Sequence, residues 1–131
     1  FNTANNNILS FAMIETEEAV KNLDEILAVP NLTGVYVGPA DMSSSYGLQP
    51  KFDVKEDPIF SNIKLIAKKA KEHGKIAGIH NGTTAYAKEM ISLGYKFITI
   101  SSDFRAMTTF AQNVVNDMKK TAKKDTSSDS Y

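Results

Sequence analysis

The sequence predicts an α/β fold built from four consecutive strand–helix units. Three observations carry this. Short apolar runs alternate four times with segments whose apolar residues recur at helical spacing. The apolar runs are nearly continuous, as in Phe11-Ala12-Met13-Ile14, which is the pattern of buried parallel strands. The strands begin near residues 8, 33, 75 and 95, leaving room for a crossover between each pair.

The first strand is read as Ile8 to Glu15. Thr16 then caps a helix, with Glu17 and Glu18 in the first turn where acids favour the dipole. Ala19, Val20, Leu23, Ile26 and Leu27 form its apolar stripe, and Pro30-Asn31 stops it. The second strand, Thr33 to Val37, ends in Gly38-Pro39. A polar stretch with turn residues follows, Asp41 to Glu56. Asp57 caps the next helix, with Pro58 at its first position. Ile59, Ile63, Ile66, Ala67 and Ala70 are its buried side. Lys68, Lys69, Lys71 and His73 sit at its basic end, and Gly74 terminates it. The third strand is Lys75 to His80, closed by Asn81-Gly82. Thr83 or Thr84 caps a helix running through Met90 and Leu93 to Gly94. The fourth strand is Tyr95 to Ser101. Asp103 caps the last helix, which reaches about Ala122. Residues 1–122 are read as one domain, and 123–131 as a polar, disordered tail. Two architectures suit this alternation: a small open doubly wound sheet, or half of a β/α barrel, since a full barrel needs eight such units and about 250 residues.

Composition narrows the function. Across 131 residues, Lys plus Arg is 15 and Asp plus Glu is 15, so the net charge is zero. That balance argues against a nucleic-acid or anionic-membrane partner. The absence of cysteine removes disulfides, thiolate zinc sites, Fe–S clusters and cysteine nucleophiles, and suits a reducing, cytoplasmic setting. No apolar run is long enough to span a bilayer. The segment Phe1 to Asn7 has neither the basic nor the apolar region of a signal peptide. Lacking an initiator Met, it is expected to begin inside a longer gene product.

In parallel α/β folds the site lies at the C-terminal ends of the strands. Those ends carry Glu15, then Gly38-Pro39-Ala40-Asp41, then His80-Asn81-Gly82, then Ser101-Ser102-Asp103. Glu15 and Asp41 on neighbouring strands can converge on one cation. Two carboxylates without a histidine cluster suit a hard ion such as Mg²⁺ or Mn²⁺. The same residues could instead serve the turns that follow them. Gly38 permits close backbone approach, and the amides of Ala40 and Asp41 could bind a carboxylate. His80 reads either as a pocket wall or as a hydrogen-bonded structural residue. Ser43-Ser44-Ser45 lacks the context of a serine nucleophile.

Ala12-Met13-Ile14-Glu15-Thr16-Glu17-Glu18-Ala19, followed by Gly34-Val35-Tyr36-Val37-Gly38-Pro39-Ala40-Asp41-Met42-Ser43 and Gly47, resembles the C-terminal half of the HpcH/HpaI aldolases. Gly78-Ile79-His80 and Ser101-Ser102-Asp103 fall in family-like places, and the likeness runs from about Ile8 to Ala122. The resemblance implies the C-terminal half of a TIM (β/α)8 barrel. It implies a metal-dependent class II pyruvate aldolase that cleaves a 4-hydroxy-2-oxo acid to pyruvate and an aldehyde through a metal-stabilised enolate. Carried over by residue, Glu15 and Asp41 bind the divalent metal (Mg, Mn or Co). Ala40 and Asp41 hold the substrate carboxylate, with Gly38 and His80 beside them. Met13 stands where the family often has a substrate-contacting Gln, and it cannot donate that hydrogen bond. The family's catalytic His, its acidic partner and an Arg come from the first half of the barrel, so the proton-transfer residues are expected outside this sequence. A homo-oligomer is implied, dependent on an N-terminal half-barrel. The rival readings are a citrate-lyase-β-like or malyl-CoA-lyase-like acyl-CoA lyase and a non-catalytic half-barrel assembly module. The stretch from Met42 to Glu56 is expected to border the aldehyde pocket as a partial lid.

Overall fold

A computed structural model describes residues 2–125, with side chains to residue 120. Its described residues fall into two compact units divided after Ile100. The first holds α1 (Ala4–Asn7), β1 (Phe11–Ile14), α2 (Glu17–Lys21), α3 (Leu23–Leu27), β2 (Gly34–Val37), α4 (Pro39–Ser45), α5 (Ile59–Glu72), β3 (Ile76–Asn81), α6 (Thr84–Ser92) and β4 (Phe97–Ile100). The second holds α7 (Asp103–Asp125).

The four strands form one sheet in the order β1-β2-β3-β4, every pair parallel. This sequential order decides between the two architectures. A doubly wound sheet reverses its strand order at a switch point, whereas barrel strands follow one another around the wall. The two faces of the sheet confirm barrel-type winding. Ile14, Val35, Val37, Ala77 and Ile79 point to one side and are buried against Leu23, Leu27, Ile63, Ile66 and Met90 of the helices. Phe11, Met13, Tyr36, His80, Phe97 and Thr99 point to the other side, where Met13 is 51% and Phe97 43% exposed.

That second face is concave. The rings of Phe11 on β1 and Phe97 on β4 meet with centroids 5.0 Å apart. In a flat sheet those outer strands would stand about 14 Å apart. Curvature brings them together, and glycines on the intervening strands leave the space. A Cβ on Gly34 would lie 2.8 Å from the Phe11 ring, and one on Gly78 would lie 2.8 Å from Tyr36 and 3.0 Å from Phe97.

The elements differ from the sequence reading in local ways, each with a cause. The strand expected from Ile8 starts only at Phe11, because Ala4–Asn7 makes a short helical turn before it. The helix after Thr16 is capped as expected, with Thr16 Oγ1 accepting from the Ala19 amide at 3.0 Å, but it breaks at Asn22 (φ −94°, ψ 15°). The polar stretch after Gly38 is not all loop: Pro39 opens α4, which runs to Ser45. Ser102, rather than Asp103, caps the last helix, its Oγ accepting from the Arg105 amide at 3.3 Å. That helix continues beyond Ala122 to Asp125, so the first residues assigned to the tail have helical backbone. Residues 126–131 of that tail lie outside the described residues. Among the described residues, no helix is long and apolar enough to cross a membrane.

Candidate metal and substrate site

Glu15 follows the last residue of β1, and Asp41 lies in the first turn of α4, one turn beyond the end of β2. Two local features hold these ends together. Pro39 pre-sets the helical φ at the first position of α4, which starts the helix directly at the strand end. At its other end, Ser45 Oγ accepts from the Glu17 amide at 2.9 Å, tying α4 to the turn that carries Glu15.

Gly38 measures how closely the carboxylates approach. A Cβ on residue 38 would stand 2.9 Å from Glu15 Oε2 and 3.5 Å from Asp41 Oδ2. Both oxygens therefore border the same small space. Among the described residues neither carboxylate has an ion-pair partner. A divalent ion in that space would be within reach of both carboxylates. No group of three or more His, Cys, Asp or Glu suited to a metal occurs among the described residues. As a candidate donor set, Glu15 and Asp41 would offer hard carboxylate oxygens. Such a set fits Mg²⁺ or Mn²⁺, which bind through one or two carboxylates and keep several waters, and it does not fit a closed zinc site.

A cavity of about 200 Å³ opens beside this pair, lined by Met13, Tyr36, Gly38, Pro39, Ala40, Asp41, Phe52 and His80. Of the residues singled out in the sequence, Met13, Gly38, Ala40, Asp41 and His80 are gathered around it, with the Glu15 carboxylate against Gly38. The helical ladder of α4 begins with the Met42 amide bonding Gly38 O at 2.9 Å. The N–H groups of Ala40 and Asp41 therefore stand outside that ladder and are open to an anionic group.

Phe52 and Thr99, which carry no motif in the sequence, support the cavity as well. Phe52 packs against the His80 ring with centroids 5.2 Å apart. His80 Nδ1 is bonded to Thr99 Oγ1 at 2.9 Å, and the same hydroxyl is bonded to Tyr36 OH. The segment bearing Phe52 is fastened down. Asp53 accepts from the Gly82 amide and the Thr83 hydroxyl, both at 2.7 Å, and Tyr86 OH donates to Val54 O at 2.5 Å. Burial pushes the Tyr86 phenol well above its ordinary range, so it remains a donor. The stretch expected to be a lid thus borders the cavity through Phe52 while anchored to the start of α6.

Comparison with known proteins agrees with this fold. The sequence profile of the HpcH/HpaI aldolase/citrate lyase family matches residues 1–109, and the chain belongs to that family. It is 34% identical over 116 residues to a hydroxypyruvate/pyruvate aldolase of Rhizorhabdus wittichii, covering 88% of this chain and 46% of that protein. It is 30% identical over 120 residues to a 5-keto-4-deoxy-D-glucarate aldolase of Enterobacter sp., covering 92% and 46%. The crystal structure of an HpcH/HpaI aldolase from Desulfitobacterium hafniense superposes with a TM-score of 0.81 at 25% identity, covering 88% of this chain and 44% of that one. The chain spans about half the length of the relatives it matches.

Proposed function

We propose that this chain forms the metal- and oxo-acid-binding half of a class II pyruvate aldolase that cleaves a 4-hydroxy-2-oxo acid to pyruvate and an aldehyde. The observation that carries this reading is the pair of uncompensated carboxylates, Glu15 and Asp41, bordering one space at the mouth of a small cavity. The names of both curated relatives favour an aldolase over an acyl-CoA lyase.

Glu15 and Asp41 hold a divalent ion, Mg²⁺ or Mn²⁺ by donor chemistry. When bound, such an ion supplies Lewis-acid polarisation of the keto oxygen of a 2-oxo acid. The Ala40 and Asp41 amides bind and orient the substrate carboxylate. Gly38 leaves the space in which these groups meet. Met13 and Phe52 line the cavity with apolar surface, and His80 presents its imidazole to the bound acid. In the overall reaction the C3–C4 bond breaks and its electron pair remains on C3. The 4-hydroxyl gives up its proton as C4 becomes the aldehyde, and C3 regains a proton to yield pyruvate. The group that moves these protons is assigned to an N-terminal half-barrel rather than to residues 1–122. That half would also cover the concave face of the sheet, which carries half-exposed aromatic rings. A cytoplasmic homo-oligomer completes the proposal.

The test is pyruvate release from a 4-hydroxy-2-oxo acid by the complete gene product. Activity that EDTA abolishes and Mg²⁺ or Mn²⁺ restores is expected. Turnover unaffected by EDTA would overturn the reading.

A further inference from the structure

Tyr36, Thr99 and His80 form a hydrogen-bonded relay across three strands of the concave face. Tyr36 lies on β2 opposite Gly78 of β3, and His80 of β3 lies opposite Thr99 of β4. With no side chain at Gly78, the Tyr36 ring crosses over β3, 2.8 Å from where that Cβ would be, and its hydroxyl bonds Thr99 Oγ1. Thr99 Oγ1 bonds His80 Nδ1 at 2.9 Å, and Phe52 packs against the imidazole. The ring that lines the cavity is therefore fixed from two sides.

The relay has a direction. Each hydroxyl carries one hydrogen. If His80 donated from Nδ1, Thr99 Oγ1 would either donate to Tyr36 or accept from it as well, and in both cases one hydroxyl hydrogen would find no acceptor among the described residues. With Tyr36 donating to Thr99, and Thr99 to Nδ1, every hydrogen has an acceptor. The second direction is the one that pairs every hydroxyl hydrogen within the chain. It places the imidazole proton on Nε2, the nitrogen not used by the relay.

We infer that His80 is a specificity-determining donor, its Nε2–H held toward the cavity for an oxygen on the aldehyde fragment, and that Thr99 and Tyr36 are positioning residues that set its tautomer. The ligand class this selects is an aldehyde bearing a hydroxyl beyond its carbonyl. A site built around a hydrogen-bond donor rejects an analogue lacking the acceptor, because the donor is then left unpaired. The inference rests on the aldolase reading above.

The experiment uses the complete gene product with Mn²⁺ and compares pyruvate addition to glycolaldehyde and to propionaldehyde. The wild type is expected to prefer glycolaldehyde in kcat/KM. His80→Leu and Thr99→Val are expected to lose about tenfold of that preference, the aldehyde KM changing more than the pyruvate KM. Thr99→Ser, which keeps the hydroxyl, retains the preference. Imidazole ¹⁵N–¹H correlation spectra of the ligand-free protein should show His80 as the Nε2–H tautomer and should show that signature lost in Thr99→Val, an effect that mere structural support does not produce. An Nδ1–H tautomer in the wild type, or an undiminished preference in His80→Leu, overturns the inference. If His80→Leu changes nothing while Glu15→Gln abolishes turnover, only this inference fails. Full turnover in Glu15→Gln means that the underlying aldolase reading has failed.

Discussion

Glu15 Oε2 and Asp41 Oδ2 lie 2.9 and 3.5 Å from a single point, the position a Cβ would take on the residue between them, Gly38. Gly38 itself has φ −101° and ψ 91°, a conformation open to any residue. Glycine is needed there for space, not for backbone freedom.

Gly38→Ala is therefore expected to leave the fold intact and weaken the proposed metal site. The added methyl meets the far end of the flexible Glu15 side chain, which can move aside at small cost. Moving it displaces one of the two carboxylates proposed to hold the ion. Divalent-ion affinity, measured by calorimetric titration, should fall about tenfold or more while the circular dichroism spectrum is unchanged. Unaltered affinity would show that the carboxylates do not share an ion across this space.

The segment carrying Phe52 is held by the Asp53 carboxylate and the Tyr86 hydroxyl. Tyr86→Phe removes the donor to Val54 O and should cost about 1 kcal/mol or somewhat more in urea unfolding. Asp53→Ala frees the Gly82 and Thr83 donors. Both changes loosen Phe52 against His80, so both should alter selectivity among aldehydes more than the KM for pyruvate. Equal effects on the two substrates would show that the segment does not border the aldehyde side.

Asp24 joins α3 to α5 by accepting from Lys69 at 2.9 Å and contacting His73 at 3.0 Å. The Lys69 hydrogen bond, and then that of His73, hold its carboxyl below the usual carboxylate range. The folded group thus titrates below the unfolded one. Its stabilisation is complete above the ordinary carboxylate pKa, about 3.9, and disappears as pH falls through the lower folded value. Asp24→Asn should accordingly lower the urea midpoint near neutral pH and make no difference in strong acid. A difference that persists in acid would mean the substitution acts through packing rather than charge.

What the sequence disclosed followed the reach of each signal. The strand–helix alternation, the Thr16 and Thr83 caps and the buried side of α5 are local patterns, and each is present. The start of α4 also had a local signal in Pro39, but the polar residues after it resembled a loop; at α5, Pro58 is itself the N-cap rather than the first helical residue after an Asp57 cap. The turn at Ala4–Asn7 had none, because a run of asparagines has low helix propensity. The candidate site was legible where it sat in contiguous motifs at strand ends. The relay was not. Tyr36 and Thr99 are 63 residues apart, and their contact depends on strand register, sheet curvature and the missing side chain of Gly78. The role of Phe52 likewise depends on how the segment before α5 folds back to α6.

Whether Glu15 and Asp41 share an ion is tested most directly by Mn²⁺ binding to the complete gene product, followed by electron paramagnetic resonance without substrate. One bound ion is expected in the wild type, with a loss of about a hundredfold in affinity in both Glu15→Gln and Asp41→Asn, each still folded. Wild-type affinity in either variant would contradict a shared ion.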